Sequence, residues 1–253
     1  MFLSDNEALS TVIKAPGIVP DQPQSPCETC RLRSLHFCRA LIGEDRGRDG
    51  LRATQRSTAA RRNIYRAGEP YEGVLVVRDG WAVRFVQLPN GRRQILSVAL
   101  PGELVSAGAV LERQLPFSIQ AVTEVRCCYL PFAAVRARMQ QDPKLFDYWL
   151  RLSAAEHRAA DKRLVDLGQR TAQERIAALI LHLMSRFQDR GEVLDDEFPF
   201  PMSQQQIADF TGLTPVHTCR VLSFFRRSGV CDISHGTAKV NDRVGLQRLA
   251  AIS

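Results

Sequence analysis

The chain has 253 residues, enough for two domains or one large one with a proper core. Apolar residues make up 45%, an ordinary globular level, and no run of about 18 of them occurs, which excludes a helical membrane span. The net charge of +7 is almost wholly arginine, with four lysines in all; forked guanidiniums suit phosphates and guanine edges, although a plain basic surface has the same balance.

The first ten residues, MFLSDNEALS, lack the basic start and apolar core of a signal peptide, so a cytoplasmic protein is expected. There the seven cysteines stay reduced, and clustered ones read as metal ligands or redox groups rather than disulfides. Residues 1–26, with Pro16, Pro20, Pro23 and Pro26, predict a flexible segment. A cysteine segment follows over residues 27–49. Cys27, Cys30 and Cys38 fall within twelve residues, among aliphatic and aromatic neighbours. Soft thiolates at this density can wrap zinc or an iron–sulfur group. No second Cys-x-x-Cys pair completes a zinc site, and His36 is the conceivable substitute. Arginines at 39, 46, 48, 52, 56, 61 and 62 predict a solvated face.

Residues 50–134 read as a sensory domain of short strands. Residues 73–80 end in a hairpin signal at Asp79-Gly80, residues 81–88 alternate, and Pro89-Asn90-Gly91 makes the next turn. Residues 94–100, 118–122 and 125–130 continue the series. Such strands predict a barrel or cupin-like double-stranded β-helix. Residues 135–168 read as a dimerisation helix opened by Asp142-Pro143. Phe146, Leu150, Ser153, His157, Ala160, Leu164 and Leu167 keep a 3-4-3-4 spacing, the pattern of a coiled-coil seam, large at its ends and weak in the middle.

Residues 169–253 read as a winged helix-turn-helix, making the whole chain α+β. An amphipathic helix over 171–190 leads to a short extended piece and then to Ser203, which caps a helix with Gln206 in capping-box position. Gly212 ends that helix; Thr214 caps the next, and Pro215 sits at its first position, where no N–H is needed. Ile207, Ala208, Leu213, Thr218, Val221 and Leu222 fall on the facing sides. Val216, His217, Cys219 and Arg220 are left pointing outward, where a recognition helix meets the major groove. Residues 230–233 and 238–240 predict the wing, and 244–252 a closing helix.

In this order the parts resemble the FNR branch of the CRP/FNR transcription regulators over residues 27–253. The likeness is carried by the cysteine cluster, by Pro101-Gly102-Glu103-Leu104, by Ala172-Gln-Glu-Arg-Ile-Ala-Ala178 and by the reader. It implies a homodimer on a near-palindromic site in double-stranded DNA and contact with RNA polymerase. The chain shows no nucleophile–base arrangement and no glycine-rich phosphate loop, so no enzymatic activity is expected. In cyclic-nucleotide members an Arg-Ser or Arg-Thr pair holds the phosphate. Leu115 and Pro116 stand at those positions and can pair with none, so cyclic AMP is disfavoured. In oxygen-sensing members three N-terminal cysteines and one from the barrel hold a 4Fe–4S cluster. The resemblance implies Cys27, Cys30, Cys38 and Cys128 as ligands, and strand parity leaves Cys127 facing the other way. Cys38 follows Cys30 by eight positions, a wider gap than in the best-known member. Where the family has Glu and Ser in the reader, this chain has Val216 and Cys219, so the half-site should differ. Alternatives on the same scaffold are a haem or nitric-oxide sensor, a structural zinc at the cysteines, or thiol redox at Cys219.

Overall fold

A computed structural model of the chain describes residues 19–20, 30–32, 36–42, 53–111 and 114–250. The sensory domain is built from two four-stranded antiparallel sheets. The first runs β1 (Val19–Pro20), β2 (Thr54–Thr58), β8 (Val125–Pro131), β4 (Gly73–Asp79). The second runs β3 (Asn63–Tyr65), β7 (Ser118–Ala121), β5 (Ala82–Gln87), β6 (Arg93–Ala99). The expected double-stranded β-helix is therefore a two-sheet sandwich, with no strand pairing closing it into a barrel among the described residues.

The arginine-rich approach differs from its reading. Strand β2 lies within it, β3 begins directly after it, and Arg56 is not solvated. Its Nη1 donates to Tyr65 Oη (3.1 Å) and its guanidinium lies 3.9 Å from the centroid of the Tyr129 ring. Arg39, Arg61 and Arg62 are exposed as expected, while Arg46, Arg48 and Arg52 lie outside the described residues.

Helix α1 (His36–Ile42) packs on the long helix, with Phe37 against Trp149 at 5.5 Å between ring centroids and 73° between planes. Helix α2 (Phe132–Gln141) runs directly out of β8, and the sequence reading had no separate helix there. It stops because proline disfavours a helical residue before it. Asp142, extended, caps α3 (Pro143–Gln169) by accepting from the Lys144 and Leu145 amides at 3.0 and 3.4 Å. Thr171 and Glu174 form a capping box that starts α4 (Ala172–Gln188). Then come β9 (Glu197–Pro199), α5 (Gln204–Thr211), α6 (Pro215–Arg227), the wing β10 (Cys231–Ser234) and β11 (Thr237–Val240), and α7 (Arg243–Leu249). Strand β9 joins the wing as a third strand, order β10–β11–β9.

Two cores form. One fills the sandwich and reaches Phe37, Leu41, Leu145 and Trp149. The other joins the second sheet to the reader: Trp81, Val83, Phe85, Ile95 and Val98 pack with Leu183, Phe187, Phe198 and Phe210. Trp81 stacks on Phe187 at 5.7 Å. Polar clamps seal this junction. Arg93 Nε donates to Asp209 Oδ2 (2.7 Å), and Gln94 Nε2 donates to the Phe210 carbonyl (3.1 Å). The Glu103 carboxylate receives both Arg186 of α4 and Arg190 in the turn that follows it.

Candidate functional site

The reader forms for local reasons. Ser203 Oγ accepts from the Gln206 amide (3.2 Å) and Gln206 Oε1 from the Ser203 amide (2.9 Å), which completes the capping box of α5. Gly212 takes φ +67°, so α5 ends in a left-handed residue and the chain turns sharply. Thr214 Oγ1 then accepts from the His217 amide (3.2 Å), with Pro215 in the first turn of α6. Ile207, Ala208, Thr218 and Val221 are buried between the helices, and Leu213 and Leu222 half-buried. Val216 (62% exposed), His217, Cys219 and Arg220 all stand in solvent on one face. This face can donate two parallel hydrogen bonds from Arg220, offer an imidazole at His217, and present methyls at Val216. The wing turns at His235 and Gly236, both at positive φ (50° and 78°), the conformation that matches a two-residue hairpin to strand twist.

The cysteines divide by strand face. In β8, Cys127 pairs across with Arg56 and Val77, and Cys128 with Gln55 and Val76. Neighbours on a strand face opposite ways. Cys127 is 1% exposed; burial, then Cys128, pushes its thiol up to about 12, with Arg56 opposing. Cys128 is half-buried and packs on the same core as Cys38 of α1. Cys30 is half-buried, and Cys27 lies outside the described residues. Cys38 lies near Tyr148 of α3, whose hydroxyl pKa is raised by burial, then by Cys38 and Glu103. The donor set fits an iron–sulfur group in kind: half-buried thiols with apolar walls, the fully buried Cys127 set apart. No three His, Cys, Asp or Glu among the described residues are gathered closely enough to hold a metal ion.

On α3, Phe146, Leu150 and Leu164 are largely exposed, as is their neighbour Val165. His157 and Ala160 are exposed and Ser153 half-buried, and His157 Nε2 lies 3.8 Å from Asp161 Oδ2. Leu167, expected in the seam, leans instead toward its own reader: a Cβ at Gly212 would sit 3.0 Å from Leu167 Cδ2. The opposite flank of α3 is tied to the sandwich through Glu156, which accepts from the Ala107 amide (2.9 Å) and from Arg84 (3.3 Å). Leu115 is buried and Pro116 exposed.

Sequence reading missed the junction residues. Glu103 was legible only as part of a corner, and nothing in linear order links it to Arg186 and Arg190. No helix among the described residues is long and apolar enough to cross a membrane.

A two-sheet sandwich joined by a long helix to a winged helix-turn-helix defines a DNA-binding regulator. Residues 174–249 match the Crp-like helix-turn-helix domain and residues 55–142 the cyclic nucleotide-binding domain. The nitrogen fixation regulation protein FixK of Bradyrhizobium diazoefficiens is 30% identical over 244 residues, covering 93% of this chain and 99% of that protein. The transcriptional activator protein anr of Pseudomonas aeruginosa is 29% identical over 229 residues, 90% of this chain and 93% of that one. The solved structure of FixK2 from Bradyrhizobium japonicum superposes with a TM-score of 0.73 at 26% identity, over 80% of this chain and 100% of that chain. The chain belongs to the CRP/FNR family of transcription regulators.

Proposed function

We propose that this regulator works as a homodimer whose promoter binding is set by an oxygen-labile 4Fe–4S cluster held by Cys27, Cys30, Cys38 and Cys128. The observation that carries the reading is the division of the β8 pair. Cys128 shares a core with the α1 helix that bears Cys38, while Cys127 is sealed into the sandwich. Such a cluster, when bound, supplies iron–sulfur bonds that oxygen oxidises and breaks.

The chain's own residues do the rest. Thiolates at 27, 30, 38 and 128 hold the N-terminal segment to β8. That hold seats α1, and Phe37 then presses Tyr148 and Trp149 in the first turns of α3. The start of α3 is thereby fixed, and Phe146, Leu150 and Leu164 can meet the same residues of a second copy. Val165 belongs to the same apolar stripe, and the small and polar centre at Ser153, His157 and Ala160 keeps the pairing weak enough to be reversible. Two paired α3 helices would set two α6 helices one DNA turn apart, about 34 Å. Arg220 would read guanine O6 and N7, and Val216 would touch a thymine methyl where the family's glutamate meets cytosine. Contact with RNA polymerase follows from the family resemblance and is part of the proposal, as is a cytoplasmic location.

Protein purified without air should be brown, with about four irons and matching sulfide per chain. Colourless protein carrying a single zinc would overturn the cluster. Cys128→Ala should lose the iron and Cys127→Ala keep it; the reverse result would move the fourth ligand. Cys38→Ala that still dimerises and binds DNA as the parent does would break the link between cluster and pairing.

A further inference from the structure

Where the C-terminal half of α3 passes α4 and the end of α5, the packing leaves an open cavity of about 50 Å³. Lys162, Arg163 and Arg175 bring cationic groups to its wall. His182 brings an imidazole whose pKa is drawn down to about 3 by burial, then by Arg186, Arg163 and Lys162, which keeps it neutral. Asp166 is the acid among the lining residues, and Phe210 supplies an aromatic floor. These charges do not cancel. Asp166 Oδ1 is held by charge, 3.0 Å from Arg170 Nε, although it accepts no hydrogen bond. Arg175 is engaged as well, donating to the Arg170 carbonyl (2.8 Å) and the Thr211 carbonyl (3.2 Å). Arg186, whose charge also reaches this region, is bound by Glu103.

Arg163 is different. Its guanidinium lies 3.5 Å from the centroid of the Phe210 ring, and its Nη1 is buried with no hydrogen-bond partner. Burial draws its pKa down to about 10, with Asp166 opposing and Arg186 adding. An ionised donor shut away from water without an acceptor is strongly unfavourable, so an acceptor belongs beside it. The cavity is large enough for more than one water. Water brings no charge, however, and the surplus here is positive. A planar guanidinium edge with an ammonium and an imidazole nearby is the donor set that small oxyanions take.

We propose that this cavity binds a small oxyanion of the phosphate class, with Arg163 Nη1 as the inner donor and Lys162 and His182 closing over it from the exposed mouth. The site is separate from the cysteines and from the recognition face. Arg163 also lies on the flank of α3 away from Phe146, Leu150 and Leu164. A bound anion ties α3 to α4 and to the end of α5, the junction where the long helix hands over to the reader.

Inorganic phosphate is the probe, titrated into the full chain against sodium chloride at matched ionic strength while thermal unfolding is followed. Phosphate should give a saturable rise in Tm of about 2–4 °C that chloride does not reproduce. Arg163→Ala should abolish the saturable part. Because that change also removes the contact with Phe210, Lys162→Gln at an exposed position serves as the second variant. It should keep the parent Tm without phosphate and weaken the apparent phosphate affinity several-fold. Adenosine monophosphate in place of phosphate separates the sources: tighter binding assigns the site to the phosphate of a nucleotide, equal or weaker binding to the free ion. A rise that is the same in chloride, or unchanged in both variants, means that the cavity holds water alone and the proposal fails.

Discussion

Glu103 offers the most demanding test of how sensor and reader are joined. Its carboxylate accepts from the Leu100 amide (2.9 Å), from Arg186, and from Arg190 Nη2 (2.5 Å). The Arg190 side chain is 2% exposed, and its Nε and Nη1 have no hydrogen-bond partner, so Glu103 is its principal counter-charge. Burial lowers the Arg190 pKa, and Glu103 is the first group that opposes this. All three side chains are less than a quarter exposed, so solvent screens the pair weakly. Glu103→Ala leaves a buried guanidinium uncompensated and should cost about 3–5 kcal/mol. Glu103→Gln keeps an acceptor without the charge and should cost about half as much. With a urea slope of about 2–3 kcal/mol/M, the alanine change lowers the unfolding midpoint by about 1–2.5 M. The triple change Glu103→Leu with Arg186→Met and Arg190→Met removes all three charges and should recover most of the loss, because a buried pair is often no better than an apolar replacement. If Glu103→Ala unfolds within about 0.5 kcal/mol of the parent, below the range of a broken buried pair, the clamp does not hold the domains.

Further outcomes follow from other residues. Arg220→Ala should cost about 1–3 kcal/mol of DNA binding and relax one base position; unchanged specificity in a binding-site selection would move the reading role to His217. Gly212→Ala must take φ +67° and crowd Leu167, so it should destabilise by about 1–3 kcal/mol in thermal melts, and a neutral result would mean that the turn rearranges. Leu164→Arg should shift anaerobic protein from dimer to monomer by sedimentation while leaving its circular dichroism unchanged; a persisting dimer would place the interface elsewhere. Cys127 and Cys231 are both raised from an ordinary value near 9.0 to about 12, burial being the main cause for each. The unfolded chain therefore loses these protons first. Stability is full below pH 9 and should fall by about 1.4 kcal/mol per pH unit for each thiol between pH 9 and 12. Tyr71, whose hydroxyl pKa is also raised by burial, adds its own loss above pH 10. Between pH 9 and 10, therefore, Cys127→Ala should halve that slope in alkaline urea titrations, and an unaltered slope would refute the assignment.

The reader was legible almost residue by residue because its signals are local. Ser203 with Gln206, Gly212, and Thr214 with Pro215 each act within four residues, and each turned up with the expected hydrogen bond or dihedral angle. The start of α3 at Asp142-Pro143 was legible for the same reason. Strand β2 was not, because TQRST carries no apolar alternation and a run of arginines reads as surface. Arg56 is half-buried there only because Tyr65 and Tyr129, distant in sequence, come to meet it. The placement of Cys127 and Cys128 on opposite faces followed from strand parity alone. Phe146, Leu150 and Leu164 do stand outward on α3, as their spacing predicts, but Leu167 is drawn toward the Gly212 turn, a contact that periodicity along one helix cannot foresee. The Glu103 and Arg93 clamps depend on the docking of one domain on another, which no local pattern encodes.

Trp81, Phe85, Phe187 and Phe210 share one core across the two halves of this regulator, which should therefore melt together. A reader excised at its linker would carry a bare aromatic wall into water and would be expected to clump or soften. The sensor cut from its reader would be stripped on the same side. Exchanging reader heads between relatives should therefore succeed only when the sheet residues beneath them travel along, which makes the seam between the two domains, rather than the linker, the natural unit of grafting.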